Sequence, residues 1–241
     1  MSEKPKSGKA MQRKTLLDAA SAMLARGGPD ALSLRKLAAS VGTSTMAIYT
    51  GFGGKEGLIQ ALLEEAFSRL ARAQEAVPAD PDPLLRLARL GEAYRRFALE
   101  NPSYYALMIS VTMPVPAELR HLEESEAAPA ARGISGHDSY RHLYEAVEAS
   151  IDQGYLAGGR EPGMVANALW ATVHGLTSLE LAGYHATSEE AAEQFTFTSH
   201  AILKGLMTEK GLKHFAGLEA QGAPLQETPA AKPHSLPFHS P

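Results

Sequence analysis

The chain has 241 residues, 44% hydrophobic and 21% charged, with no cysteine and a net charge of −4. These values describe one large or two small globular domains and exclude disulfides and thiolate zinc sites. No apolar run approaches the roughly 20 residues needed to cross a bilayer, and the Lys-rich start has no apolar segment behind it, so no membrane association and a cytoplasmic address are expected.

Charge is unevenly placed. Residues 1–60 carry nine basic and four acidic side chains, a balance of +5, while the remainder carries fourteen against twenty-three, a balance of −9. A basic head on an acidic body suggests an anionic partner for the head.

In chain order, Leu16, Ala20, Met23 and Leu24 form one apolar stripe, predicting a helix over 11–26 that Gly27-Gly28-Pro29 should end. Ser33 precedes LRKLAASVG, a short helix stopped by Gly42, and Ser44 is a candidate N-cap for a third short helix over 45–50. Ile59, Leu62, Leu63, Ala66 and Leu70 predict a longer helix over 55–76. Helices are then expected over 83–100 and 102–110. An irregular connector follows, with Pro114, Pro116, Pro129 and the acidic cluster Glu123, Glu124 and Glu126. Periodicity returns over 137–157, a helix over 162–185 opens on Pro162, and another runs 188–209. The sequence after Gly211 loses its period and is expected to be a disordered tail. No strand alternation occurs, so the expected class is all-α with about nine helices: a head over 1–57, a helical body over 58–210 and a tail over 211–241.

Two short helices around Gly42, braced by the helix over 11–26, suit a helix-turn-helix whose second helix enters the DNA major groove. From Arg13 to Leu58 the chain reads RKTLLDAASAMLARGGPDALSLRKLAASVGTSTMAIYTGFGGKEGL. This stretch resembles the N-terminal DNA-binding domain of TetR-family transcriptional regulators. The first-helix pattern LLDAA…LARGG, the segment SLRKLAASVGTS and the ending IYTGFGGKEGL carry the likeness. Tyr49, Phe52, Lys55, Glu56 and Leu58 fit the family's ending, and Gly51 stands where His or an aromatic is usual.

Ser44, Thr45, Met46 and Ala47 head the expected recognition helix, where Met46 and Ala47 can touch thymine methyls and Thr45 can donate or accept. Tyr49 can hydrogen-bond a phosphate, which sets register rather than sequence. Lys55 opens the next helix, where its charge opposes the helix dipole unless an anion lies nearby. Arg35 and Lys36 are candidates for backbone contact, and Ser33 and Thr50 complete the candidate DNA-binding set. Lys4, Lys6 and Lys9 form a candidate arm adding non-specific affinity. Against these roles stand plain packing for Tyr49 and solvation for the lysines, with Ile48 and Phe52 expected in the core.

In the body, ENPSYYALMIS (100–110) and the pattern Trp170, His174, Gly175 resemble TetR-family C-terminal domains, the latter a WHG type. The resemblance implies a small-molecule effector site and a homodimer built through the helices over 162–185 and 188–209. Val165, Leu169, Thr172, Leu176 and Leu179 mark one stripe, and Phe195, Thr198, Ile202 and Leu206 another. An effector cavity needs apolar and aromatic walls, for which the candidates are Phe97, Tyr104, Tyr105, Met108, Met113, Tyr144, Val147, Ile151, Trp170 and His174, with core packing the competing role. Such a set suits an apolar or aromatic effector.

No HExxH, nucleophile elbow, P-loop or dinucleotide motif is present, and His137 with His142 is weak as a metal pair. The expectation is a ligand-responsive repressor binding a palindromic double-stranded DNA operator, with no catalytic residue, metal or cofactor. The alternative is a helical small-molecule-binding or protein-interaction module whose head no longer binds DNA.

Overall fold

Local capping defines the elements of the head. In a computed structural model, which describes residues 4–78, 80–109 and 136–221, the first helix α1 spans Lys4–Ala31. It continues through the glycine-proline segment expected to stop it. A Cβ on Gly27 would lie 2.6 Å from that of Ala31, so the last turn tightens over a residue without a side chain, and buried Leu32 anchors its exit. Helix α2 (Leu34–Ser40) starts where the Ser33 hydroxyl accepts from the Lys36 N–H, and α3 (Thr45–Phe52) where the Ser44 hydroxyl accepts from the Ala47 N–H. These bonds satisfy amides that the first helical turn leaves unpaired. Gly42, at φ 68°, makes the turn between them in a left-handed conformation that side chains disfavour.

Helix α4 covers Lys55–Glu75, α5 Pro83–Glu100, α6 Pro102–Ile109, α7 Gly136–Asp152, α8 Pro162–Leu181, α9 Ser188–Leu206 and α10 Glu209–Ala220. The described residues are thus all-α with ten helices rather than about nine. The added one, α10, corrects the expectation of a disordered tail from 211. Thr208 caps it by accepting from the Gly211 N–H, and Phe215 is fully buried. Helix α7 stops five residues before the expected 157 because Gly154 turns left-handed at φ 69°, and the Tyr155 and Leu156 N–H groups then close back on the Ser150 carbonyl. The connector over 112–136, with its acidic cluster, lies outside the described residues save Gly136, as do the side chains of Lys4, Lys6, Lys9 and His137.

The described residues fall into two units. The first comprises those of Met1–Arg72 and Asn101–Ser139, and the second those of Ala73–Glu100 and Tyr140–Pro241. The first packs around Leu16, Leu17, Ala20, Leu37, Ile48, Leu58, Leu62 and Ala66. The second packs around Leu84, Leu87, Leu90, Val147, Leu156, Val165, Leu203 and Phe215. Each is a stripe of helical spacing folded onto its neighbours, the main source of helix stability in water.

Candidate functional site

In the first unit, burial of Ile48 at 0% exposure fixes which side of α3 faces inward. Met46 and Tyr49 are then left outward at 70% and 55% exposure. Ser44 and Thr50 are exposed, and Thr45 and Ala47 half-buried. Gln12 of α1 donates to the Thr43 hydroxyl at 3.2 Å, tying the turn to the bracing helix. Arg35 and Lys36 are exposed on α2, Ser33 serves its cap, and half-buried Lys55 opens α4. None of these three cations enters an ion pair among the described residues. The Tyr49 ring lies along Gly54, where a Cβ would meet its Cε1 at 3.4 Å. Arg13 of α1 stands outside the candidate set read from the sequence. Its guanidinium sits 4.6 Å over the Phe52 ring, a cation of the head besides Arg35, Lys36 and Lys55. Its position one turn before the buried Leu17 was the available signal.

Three of the candidate cavity residues instead belong to this unit. Tyr104 donates to Asp18 at 2.9 Å, and Arg69 donates to Asp18 at 2.7 Å, to Glu65 at 2.7 Å and to Asn101 at 3.1 Å while lying over the Tyr104 ring. Burial raises the Tyr104 pKa, so its hydroxyl remains a donor joining α6 to α1. Tyr105 is buried in α6, and Met108 packs on the same core as Leu107. These aromatic and thioether side chains pack within this unit and do not line the cavity of the second.

The second unit holds an open cavity walled by the end of α4 and by α5, α7, α8 and α9. Trp170 lines it, whereas Phe97 and Val147 are solid core at 2% and 0% exposure, and Tyr144 and Ile151 are not among its walls. Met113 lies outside the described residues. His174 is not a wall either. Its Nδ1 is 2.8 Å from the hydroxyl of Tyr94, which is one, and its ring lies 5.5 Å from Trp170. The sequence signal that failed was helical phase: Trp170 and His174 share a face, yet only the first reaches the opening. The walls missed from sequence include Gln74, Tyr94, Phe195 and Ser199.

Burial disfavours the imidazolium and lowers the His174 pKa below its ordinary 6.5; His200, buried as well, shifts the same way. A lowered folded pKa favours the neutral form, so this stability is present above about 6.5 and is lost as pH falls below it. Protonation would also leave Nδ1 able only to donate toward the Tyr94 hydroxyl. Emission of Trp170, the single tryptophan, should therefore change with an apparent midpoint below 6.5, and His174→Gln should flatten the titration. A midpoint at or above 6.5 would contradict the assignment.

Two family models match the chain: bacterial regulatory proteins of the tetR family over residues 16–62, and the tetracyclin repressor-like C-terminal domain over 87–202. The HTH-type transcriptional regulator Rv1816 of Mycobacterium tuberculosis is 31% identical over 133 residues. That match covers 53% of this chain and 52% of Rv1816, so the chain spans about half the length of the curated relatives it matches. A solved protein of unknown function from Rhodococcus sp. RHA1 is 30% identical with TM-score 0.65, over 82% of this chain and 96% of that one. The TetR family transcriptional regulator PfmR from Thermus thermophilus, at 21% identity and TM-score 0.58 over 78% and 97%, shares the fold.

Proposed function

The chain belongs to the TetR family, and from that premise we propose that it is a dimeric DNA-binding repressor whose hold on a palindromic operator is relaxed by a small organic molecule in the cavity of its second unit. The observation that carries this reading is the head. Met46 and Tyr49 project from α3 while its other side is sealed by Ile48, and Arg35, Lys36 and Lys55 have no ion-pair partner among the described residues. Cations without ion pairs and a phenol without a hydrogen bond among the described residues suit a phosphate backbone, and Met46 with Thr45 suits base edges.

The dimer reading rests on α8 and α9. Leu179, Phe197 and Ile202 are exposed at 45%, 72% and 40%, beside Gly175 and Gly205, whose absent side chains would meet nothing within 4 Å. A two-fold partner would cover this surface and set two heads about 34–36 Å apart, one helical turn of DNA. Helix α4 carries Lys55 in its first turn and Gln74 in its last. One helix thus holds a phosphate candidate and a cavity wall, and ligand binding would act by shifting the population of head spacings.

Salt-dependent mobility shifts on the adjoining promoter DNA test the head. Tyr49→Phe and Lys55→Ala should weaken binding to all sequences, with Lys55→Ala lowering the salt slope by about two, one for each head of the dimer, whereas Thr45 and Met46 substitutions should change which sequence is preferred. Wild-type operator binding by both Tyr49→Phe and Lys55→Ala would remove the phosphate assignment. Absence of DNA binding at every salt concentration would favour the helical-module alternative.

A further inference from the structure

The cavity in the second unit contains two polar groups without a visible purpose. The Gln74 side chain is 7% exposed, and its Oε1 accepts no hydrogen bond among the described residues; the Ser199 hydroxyl is buried and likewise has no partner among them. Both residues line the cavity. A buried amide oxygen or hydroxyl left unpaired is destabilising relative to an apolar residue of the same size, so folding alone gives no reason for either.

The charges around the opening narrow the occupant. The cavity walls contain no lysine or arginine, and their one carboxylate is Glu92. Arg95 stands beside it, with Nη1 3.9 Å from the Glu92 carboxylate, but two 2.7 Å bonds commit its guanidinium to Glu180. An anionic ligand would meet a carboxylate and no available cation. A cationic one would compete with Arg95 for a carboxylate already compensated. Beside Tyr94, Thr196 and His200, the remaining walls are apolar, among them Leu87, Leu90, Val173, Phe195 and Trp170, and they reward apolar bulk.

We propose that the cavity is built for an uncharged amphipathic molecule bearing an amide- or hydroxyl-type group, and that Gln74 and Ser199 recognise that group while the aromatic and aliphatic walls take its apolar part. The inference rests on reading this cavity as the effector site. Specificity follows from the unpaired groups: a ligand that completes their hydrogen bonds gains, and an analogue that cannot leaves them unpaired. Gln74 lies in the last turn of α4, so the recognised group would sit against the helix that begins at Lys55.

The test uses the full chain and three eight-carbon probes that differ only in their heads: octanamide, octanoate and octylammonium. Trp170 is a cavity wall and the single tryptophan, so its emission reports occupancy. Octanamide should bind at least 10-fold tighter than either charged analogue. Gln74→Leu and Ser199→Ala should each lower octanamide affinity about 10-fold while raising the thermal midpoint of the ligand-free protein. A merely structural role would lower that midpoint instead. Should Gln74→Leu fail to fold, that failure counts against the proposal for Gln74, and Ser199→Ala decides it for the hydroxyl. Equal binding of the three probes, or none at millimolar concentration, would overturn the inference. Operator binding without any probe is measured in parallel; its loss sinks the repressor reading and leaves the cavity result standing.

Discussion

Gly57→Ala should destabilise the head by about 3 kcal/mol, at the upper end of overpacking costs, and weaken operator binding at least 100-fold. Gly57 lies in the first turn of α4, and a Cβ there would fall inside the carbonyl oxygen of Phe52, the last residue of α3. That oxygen belongs to backbone, so no rotamer change relieves the overlap. The α3–α4 junction would have to open. Ile48 and Leu58, both fully buried, sit on either side of it, and Gly53 and Gly54 already hold positive φ values of 76° and 121° to make the turn. Opening it would separate Tyr49 from Lys55, the two phosphate candidates. Gly51→Ala is the control. Gly51 is exposed on α3 with ordinary φ and nothing within 4 Å of an added Cβ, so alanine should stabilise by roughly 0.5–1 kcal/mol through helix propensity. Thermal unfolding and a mobility shift on both variants check the pair. Equal midpoints would mean that the close approach at Gly57 carries no energetic weight.

The contrast between those two glycines shows what the sequence could disclose. Ser33 and Ser44 were legible as caps because their partners lie three residues away, and Leu16, Ala20 and Leu24 were legible as core because burial repeats with the helix. Gly154 ends α7 by a local left-handed turn and was legible in principle, but the Gly158-Gly159 pair that directly follows the expected end at 157 is the stronger-looking stop. Gly57 and Gly211 are glycine for another reason. Each faces a carbonyl from a different element, Phe52 for the first and Tyr155 for the second, and no local pattern encodes that approach. Gly211 therefore looked like a breaker, and α10 was missed although Thr208, Leu212 and Phe215 carry its cap and stripe. The head candidates share one short contiguous segment, which is why they could be named together. The cavity walls come from five helices. Gln74 and Ser199 look like ordinary surface positions in their own helices, and only the packing of α4, α5, α7, α8 and α9 brings them to one opening.

The second large effect concerns assembly. The double variant Phe197→Glu, Ile202→Glu should be monomeric by light scattering at micromolar concentration and should bind operator at least 100-fold more weakly than the parent chain. Both side chains are exposed within the protomer, Phe197 the more so, so glutamate there costs the isolated fold little and α-helical circular dichroism should be unchanged. Across a two-fold axis each substitution appears twice. Four carboxylates would then be placed on a surface of Leu179, Phe197 and Ile202, and burying them unpaired costs far more than the apolar contact they replace. Loss of the pair converts two-headed binding into one-headed binding, and the linked second contact is what raises affinity by about 10²–10⁴-fold. The residual binding should remain salt-dependent, because Arg35, Lys36 and Lys55 are untouched, but with roughly half the salt slope, since a single head releases half the counterions. A variant that stays dimeric would place the interface elsewhere. A monomer that keeps full operator affinity would show that one head suffices, and the proposed control of head spacing by the ligand would have nothing to act on.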